Sequence, residues 1–310
     1  MIYTVTLNPA VDKELVVPAI EVDTVLRTLE VRLDFGGKGF NVSRMLSALG
    51  SRSVALGFAG GHNGELLRDG LESLDIESDF VWVDDETRTN VSIVTAVAGH
   101  YVKVNEPGPV ISTTAYAALL EKVHELAQPT DWWVLAGSLP PGVPPTAYAD
   151  LIEKIQGAGA YALLDSSGEA LRWGCDARPF LVKPNDAEAE QLTGLPVKTP
   201  AEIAAAAETM QKSGIDNVVV SLGKAGALLA DEQGVWLAAS PRIEERNPIG
   251  AGDSLVGGLV WGLAEGLALP EALRWGIACG AATASLSGTA VGSRPLVEKL
   301  LSQVELTEFA

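Results

Sequence analysis

From residue 112 onward the chain alternates helix-length stretches with short apolar runs. Helical spacing covers 115–126, 146–155 and 201–211, and strand-length apolar runs cover 132–135, 161–164, 180–182 and 218–220. Strands that alternate with helices pair in parallel, because each helix carries the chain back across a face of the sheet. The first half adds strands at 3–7, 53–58 and 80–83, with helices at 42–49 and 65–74. A strand pair at 227–230 and 235–237, then two glycine- and alanine-rich helices, close the chain. The expectation is an α/β fold: one doubly wound, mainly parallel sheet flanked by helices. A length of 310 residues suits a single domain spanning 1–310.

Three stretches break the alternation. Patches at 14–17 and 28–33 are β-prone, and 91–98 with 101–104 reads as a hairpin turned at Gly99 and His100. They make either a small separate sheet, from about 12–34 and 88–106, or an extension of the main sheet's edge. A separate sheet could cover a pocket and keep water from a transferring group.

Position along the strands says more than any one motif. Asp12, the loop at Gly36, Ala59-Gly60-Gly61, Ala136-Gly137-Ser138, Asp165, Lys183-Pro184-Asn185, Ser221-Leu222-Gly223 and the loop at Gly250 each fall just after a strand. In an open parallel sheet these loops share one rim, where ligands bind. So many polar or glycine-rich loops on one rim are hard to explain as turns alone.

Two of the loops open helices. In Asn247-Pro248-Ile249-Gly250-Ala251-Gly252-Asp253 a small-residue loop leads into an apolar helix starting near Asp253. The first amides of a helix lack internal partners, and with the helix dipole they attract anions. Asp253 at that point either caps the helix or takes a proton from a hydroxyl attacking a held phosphate. Gly36-Gly37-Lys38-Gly39-Phe40-Asn41 is the second such loop. It is not a phosphate-binding Walker loop, since Gly39 stands where Ser or Thr is needed, and Val42 spoils a dinucleotide fingerprint. Taken alone it reads as a solvated turn before a helix.

Charge excludes some partners. With 22 basic and 40 acidic residues, net −18, binding to nucleic acid or an anionic membrane is not expected. An anionic substrate would need a local group of cations, and Arg27, Lys38, Arg88 and Lys183 lie among the rim segments. Cys175 and Cys279 stand far apart and read as buried thiols of a reducing compartment. The N-terminus shows no basic leader, and no apolar run reaches membrane length, so a cytoplasmic location is expected. Of the histidines only His62 borders a rim loop, which makes a histidine base less attractive than Asp253. Asn185 and Glu188 lie one helical turn apart; they suit either an ordinary helix start or a magnesium ion held through water.

The two glycine loops together resemble the signatures of the ribokinase-like, or phosphofructokinase B, sugar kinases, and the resemblance spans essentially the whole chain. Thr4 to Asp12, Thr87-Arg88-Thr89-Asn90, Asn105 to Pro109, Ala136 to Pro140, Asp165 to Gly168, Lys183-Pro184-Asn185 and Val220 to Gly223 are similar to its hexose-phosphate branch. The resemblance implies a sheet of nine or so strands with a small β-sheet lid, often a homodimer clasp, and ATP with Mg2+ as cofactors. It implies Asp253 as base and Gly250, Ala251, Gly252 and Asp253 amides as anion hole. Asp12, Gly36, Gly37, Asn41 and Ser138 would meet the sugar. Lys38 and Arg88, with Arg27 a weaker match, would lie near a phosphate already on the substrate. Lys183, Asn185, Ser221, Gly223, Gly250 and Gly252 would face the nucleotide, with Asn185 and Glu188 associated with the metal and 281–288 near the adenine. Two buried cations without partners are costly, which favours a phosphorylated acceptor. The expected reaction is conversion of fructose 1-phosphate to fructose 1,6-bisphosphate. Tagatose 6-phosphate or fructose 6-phosphate is the near alternative, and a non-catalytic sugar-phosphate sensor the remote one.

Overall fold

The computed structural model describes residues 1–95 and 100–309. The chain opens with β1 (Ile2–Thr6), β2 (Ala10–Val17), β3 (Glu30–Gly36), α1 (Lys38–Ala48), β4 (Val54–Gly60) and α2 (Gly61–Glu72). Short β5 (Glu77–Ser78) and β6 (Val81–Val83) precede β7 (Arg88–Thr95) and β8 (Tyr101–Asn105). Then come α3 (Thr113–Leu126), β9 (Trp132–Ala136), α4 (Ala147–Gly157), β10 (Tyr161–Asp165), α5 (Gly168–Asp176), β11 (Leu181–Val182), α6 (Asp186–Thr193), α7 (Pro200–Lys212) and β12 (Asn217–Ser221). The hairpin β13 (Gly226–Asp231) and β14 (Gly234–Ala239), the helices α8 (Ala251–Ala264), α9 (Leu269–Ala284) and α10 (Arg294–Leu301), and β15 (Glu305–Phe309) complete it.

Eleven strands form one sheet in the order β15-β14-β13-β12-β11-β10-β9-β1-β4-β5, with β6 also on β4. Pairing is parallel from β12 to β5 and antiparallel from β12 to β15. The central strands are buried along their length because helices cover both faces, which is why their runs do not alternate in polarity. Leu119, Tyr148, Leu151 and Ile203, from α3, α4 and α7, fill one face. Met45, Leu259, Ile277 and Val297, from α1, α8, α9 and α10, fill the other. A Cβ on Gly276 would lie 2.7 Å from the Leu255 carbonyl oxygen, so α8 and α9 touch backbone to backbone. That contact sets where the N-terminus of α8 emerges at the rim.

The irregular stretches form a sheet of their own, ordered β3-β2-β7-β8, not an extension of the main edge. Its register places Asp34, Asp12, Asn90 and Asn105 in one row, with Arg32, Glu14, Ser92 and Lys103 in the next row on the same face. Alternation sends Leu33, Lys13, Val91 and Val104, then Val31, Leu15, Ile93 and Val102, to the opposite face, which is apolar apart from Lys13.

The structure corrects several boundaries. Asp12 lies inside β2, not past the end of β1, and Gly36 ends a strand of the second sheet. The end of the expected strand 91–98, from residue 96, and the turn residue Gly99 lie outside the described residues. Besides the two-residue strand β5, three elements escaped the pattern. In α5 the glycines at 168 and 174 dilute the helical signal, α10 is only eight residues long, and β15 is an edge strand whose acidic residues read as a polar tail. Among the described residues no helix is long and apolar enough to cross a membrane.

Candidate active site

The site is built around the first turn of α8. Gly250 caps that helix in the left-handed conformation, φ 79°, which glycine adopts without strain. Among the described residues the amides of Gly252 and Asp253 find no acceptor, whereas Ala251 N–H donates to the Pro248 carbonyl at 3.2 Å. A Cβ built on Gly250 or Gly252 meets nothing within 4 Å. The loop that carries the two free amides is therefore uncrowded, and Gly252 borders a cleft, which suits an anion site.

Asp253 is the third residue of the helix and makes no capping bond, so the capping alternative is removed. Its carboxylate accepts a hydrogen bond from Asn41 Nδ2 at 2.8 Å. Burial, and then the charge of Asp165, push its pKa up to about 6; Lys38, the Asn41 bond and Lys183 oppose them. A carboxylate so tuned is ionised at neutral pH yet more basic than a surface aspartate.

Next to it sits an acid that the sequence reading left without a role. Asp165 ends β10 and is 2% exposed. Lys38 Nζ, from the first residue of α1, lies 3.1 Å from Asp165 Oδ1, and Lys183 Nζ lies 3.3 Å from the same oxygen. Burial works to raise its pKa, but Lys183 and Lys38 outweigh it and hold the carboxyl below the usual range.

Two clefts flank this centre. One, of about 600 Å³, runs between the second sheet and the loops after β9 and β10, and is lined by Asn8, Arg88, Ser138, Ser167 and Glu169. Close by in the second sheet, Asp12 accepts from Asn90 Nδ2 at 2.8 Å. A Cβ on Gly36 would sit 2.1 Å from Asp12 Oδ2, so only glycine leaves that carboxylate its place. The buried Oδ1 atoms of Asn8 and Asn90 accept no hydrogen bond among the described residues. Buried acceptors of that kind need a partner, and hydroxyl donors of a ligand would supply one. The second cleft, of about 560 Å³, is lined by Ser221, Gly223, Lys224, Arg242, Gly252 and Ala281. Part of the 281–288 segment thus borders it, together with the expected Ser221 and Gly223.

Other expected residues behave differently. The argument from unpartnered cations does not hold: Lys38 pairs with Asp165, and Arg88 donates to the carbonyls of Asn8 at 2.8 Å, Glu106 at 3.0 Å and Pro9 at 3.4 Å. Arg27 is exposed between β2 and β3, with no hydrogen bond or ion pair among the described residues. Asn185 and Glu188 form a full capping box on α6, each side chain bonded to the other's amide at 2.8 Å. No cluster of three His, Cys, Asp or Glu side chains able to hold a metal exists among the described residues. Asp165 and Asn90 stood in quoted motifs, but their partners come from distant segments, and only the fold brings those together.

A model of the pfkB family of carbohydrate kinases matches residues 4–295. The chain belongs to that family. It is therefore a carbohydrate kinase with the ribokinase-like fold. A 1-phosphofructokinase of Bacillus subtilis is 38% identical over 309 residues, covering 100% of both chains. A 1-phosphofructokinase of Escherichia coli is 33% identical, covering 99% of this chain and 98% of that one. Among solved structures, phosphofructokinase-2 from Escherichia coli in complex with potassium superposes with a TM-score of 0.93 at 34% identity, over 97% of this chain and 98% of that chain. Ribokinase from Arabidopsis thaliana, at 20% identity and a TM-score of 0.78, shares the fold over 97% of this chain and 98% of that one.

Proposed function

We propose that this carbohydrate kinase transfers the γ-phosphoryl group of ATP to the 6-hydroxyl of fructose 1-phosphate, yielding fructose 1,6-bisphosphate. The observation that carries the reading is the first turn of α8, where two amides without acceptors stand in an uncrowded loop beside a cleft, next to a buried carboxylate of raised pKa. Gly252 lines the nucleotide cleft, so ATP would lie there with its γ-phosphoryl on the Gly252 and Asp253 amides. The acceptor's phosphate would lie in the other cleft, toward Arg88 and Ser138, and its ring would reach past that cleft's lining to put its hydroxyls on Asp12, Asn90 and Asn41. Asp253 takes the proton of the attacking hydroxyl as its oxygen bonds to the γ-phosphorus and the bond from that phosphorus to the bridging oxygen breaks, releasing ADP. Lys38 and Lys183 balance charge on the moving group. The names of full-length relatives at 33–38% identity support fructose 1-phosphate over other acceptors. Fructose 6-phosphate is the second reading, favoured by the 0.90 TM-score to phosphofructokinase-2 from Escherichia coli, a structure in complex with fructose-6-phosphate. Initial rates with each acceptor test the choice.

Magnesium fits only indirectly. The capping box uses Glu188 Oε2 and Asn185 Oδ1, which leaves Glu188 Oε1 to hold an ion through water. The ion would arrive with ATP and offset the charge of its phosphates.

The second sheet is proposed as the lid and as the clasp of a homodimer. Its apolar face is uncovered: Val31 is 51%, Leu33 55% and Val104 58% exposed. A contiguous exposed face of this kind marks an interaction surface. The double substitution Leu33→Asp with Val104→Asp should turn a dimer into a monomer in sedimentation experiments. An unchanged mass would remove the clasp.

A further inference from the structure

Asp165 sets a problem that anion binding does not solve. A buried carboxylate in a site for anionic ligands is unfavourable unless something there uses it. Both lysines converge on its single oxygen Oδ1, at 3.1 Å and 3.3 Å. Lys183 is fixed by burial, with 5% of its side chain exposed, but the Lys38 side chain keeps 42% exposure and has room to move. The other carboxylates whose charge Lys38 feels are Asp253 and Glu188. If Lys38 moved onto Asp253, it would stabilise the ionised form and make the base a weaker one. The charged groups acting on Asp253 are Asp165 from β10, Lys38 from α1 and Lys183 after β11, with Asn41 of α1 bonded to it.

We propose that Asp165 is a positioning residue: it clamps Lys38 and Lys183 on one oxygen, aims both ammonium groups at the entering phosphoryl, and keeps Lys38 off Asp253. This role rests on the reading of Asp253 as base. The clamp also explains why an acid lies among the anion-binding groups: it relieves the repulsion between two ammonium groups before ATP arrives.

The test is the pH dependence of kcat/KM with ATP, Mg2+ and the sugar phosphate that the wild type uses best. In Asp165→Asn the acid limb should move down by about one pH unit, and kcat should fall about tenfold or more. In Lys38→Met the limb should move up, because a charge that favours ionised Asp253 is gone. The shift caused by Asp165→Asn should shrink in the Lys38→Met background. An equal shift in both backgrounds means that Asp165 acts by its charge alone, and the clamp is wrong. An unmoved limb with a raised Mg2+ requirement also overturns the proposal, in favour of metal binding at Asp165. Should Asp165→Asn fail to fold, Asp165→Ser takes its place in both backgrounds, and an equal shift with and without Lys38 overturns the clamp. Failure of the base assignment looks different, since Asp253→Asn then keeps its turnover.

Discussion

Replacing Asp253 with asparagine is expected to lower turnover by about two to four orders of magnitude while leaving the fold intact. The side chains match in shape, and the new amide oxygen can still accept from Asn41. What is lost is the capacity to take a proton. The same change should raise stability at neutral pH. A pKa of about 6 in the native protein lies above the ordinary aspartate value, so the native state binds this proton more tightly than the unfolded state. The stability tied to that proton is present in acid and is lost as pH rises through about 6. Ionised Asp253 therefore costs roughly 2–3 kcal/mol at pH 7, and asparagine removes that cost. Melting curves should show Asp253→Asn above the wild type at pH 7, with the gap closing toward pH 4. The wild-type kcat/KM should fall below pH 6, about tenfold per unit. Near-normal turnover in the variant would remove the base assignment.

The second large effect falls on Arg88. Its guanidinium holds carbonyls on two of the four chain crossings between the main sheet and the second sheet, Asn8 and Pro9 on one, Glu106 on another. It also lines the acceptor cleft. Losing one charge-assisted contact to a phosphate costs roughly 1.5–3 kcal/mol. Arg88→Ala should accordingly raise the KM for the sugar phosphate about 10- to 100-fold and leave the KM for ATP nearly unchanged. Arg88→Lys should recover only part, since an ammonium cannot copy the planar fork. Free fructose separates the two roles of this residue. If its KM rises as much as that of fructose 1-phosphate, Arg88 serves the crossings and not the phosphate.

Much of this was legible before any fold. The alternation after residue 112 determines a parallel sheet, and a parallel sheet gathers its strand-end loops on one rim, so Asp165, Lys183, Ser221 and the Gly250 loop could be placed together from spacing alone. The strand patches at 14–17 and 28–33 were visible too, but pattern could not say whether they joined the main sheet. Register answers that: Asp12 pairs with Asp34 and Asn90, and neither strand pairs with β4. Partnerships across long sequence separations were not legible. Lys38 and Asp165 are 127 positions apart, and nothing local to either reveals the ion pair that undid the argument from unpartnered cations. The Asn185 and Glu188 spacing shows the opposite limit, because a capping box and a metal motif share one pattern and only the hydrogen bonds tell them apart.

The most direct measurement is an initial-rate comparison of the wild-type chain with ATP and Mg2+ against fructose 1-phosphate, fructose 6-phosphate, tagatose 6-phosphate and free fructose. The account predicts the highest kcat/KM on fructose 1-phosphate and the lowest on free fructose. A preference for either 6-phosphate would keep the chemistry at Asp253 but contradict the proposed acceptor. A preference for free fructose would contradict the placement of a substrate phosphate at Arg88.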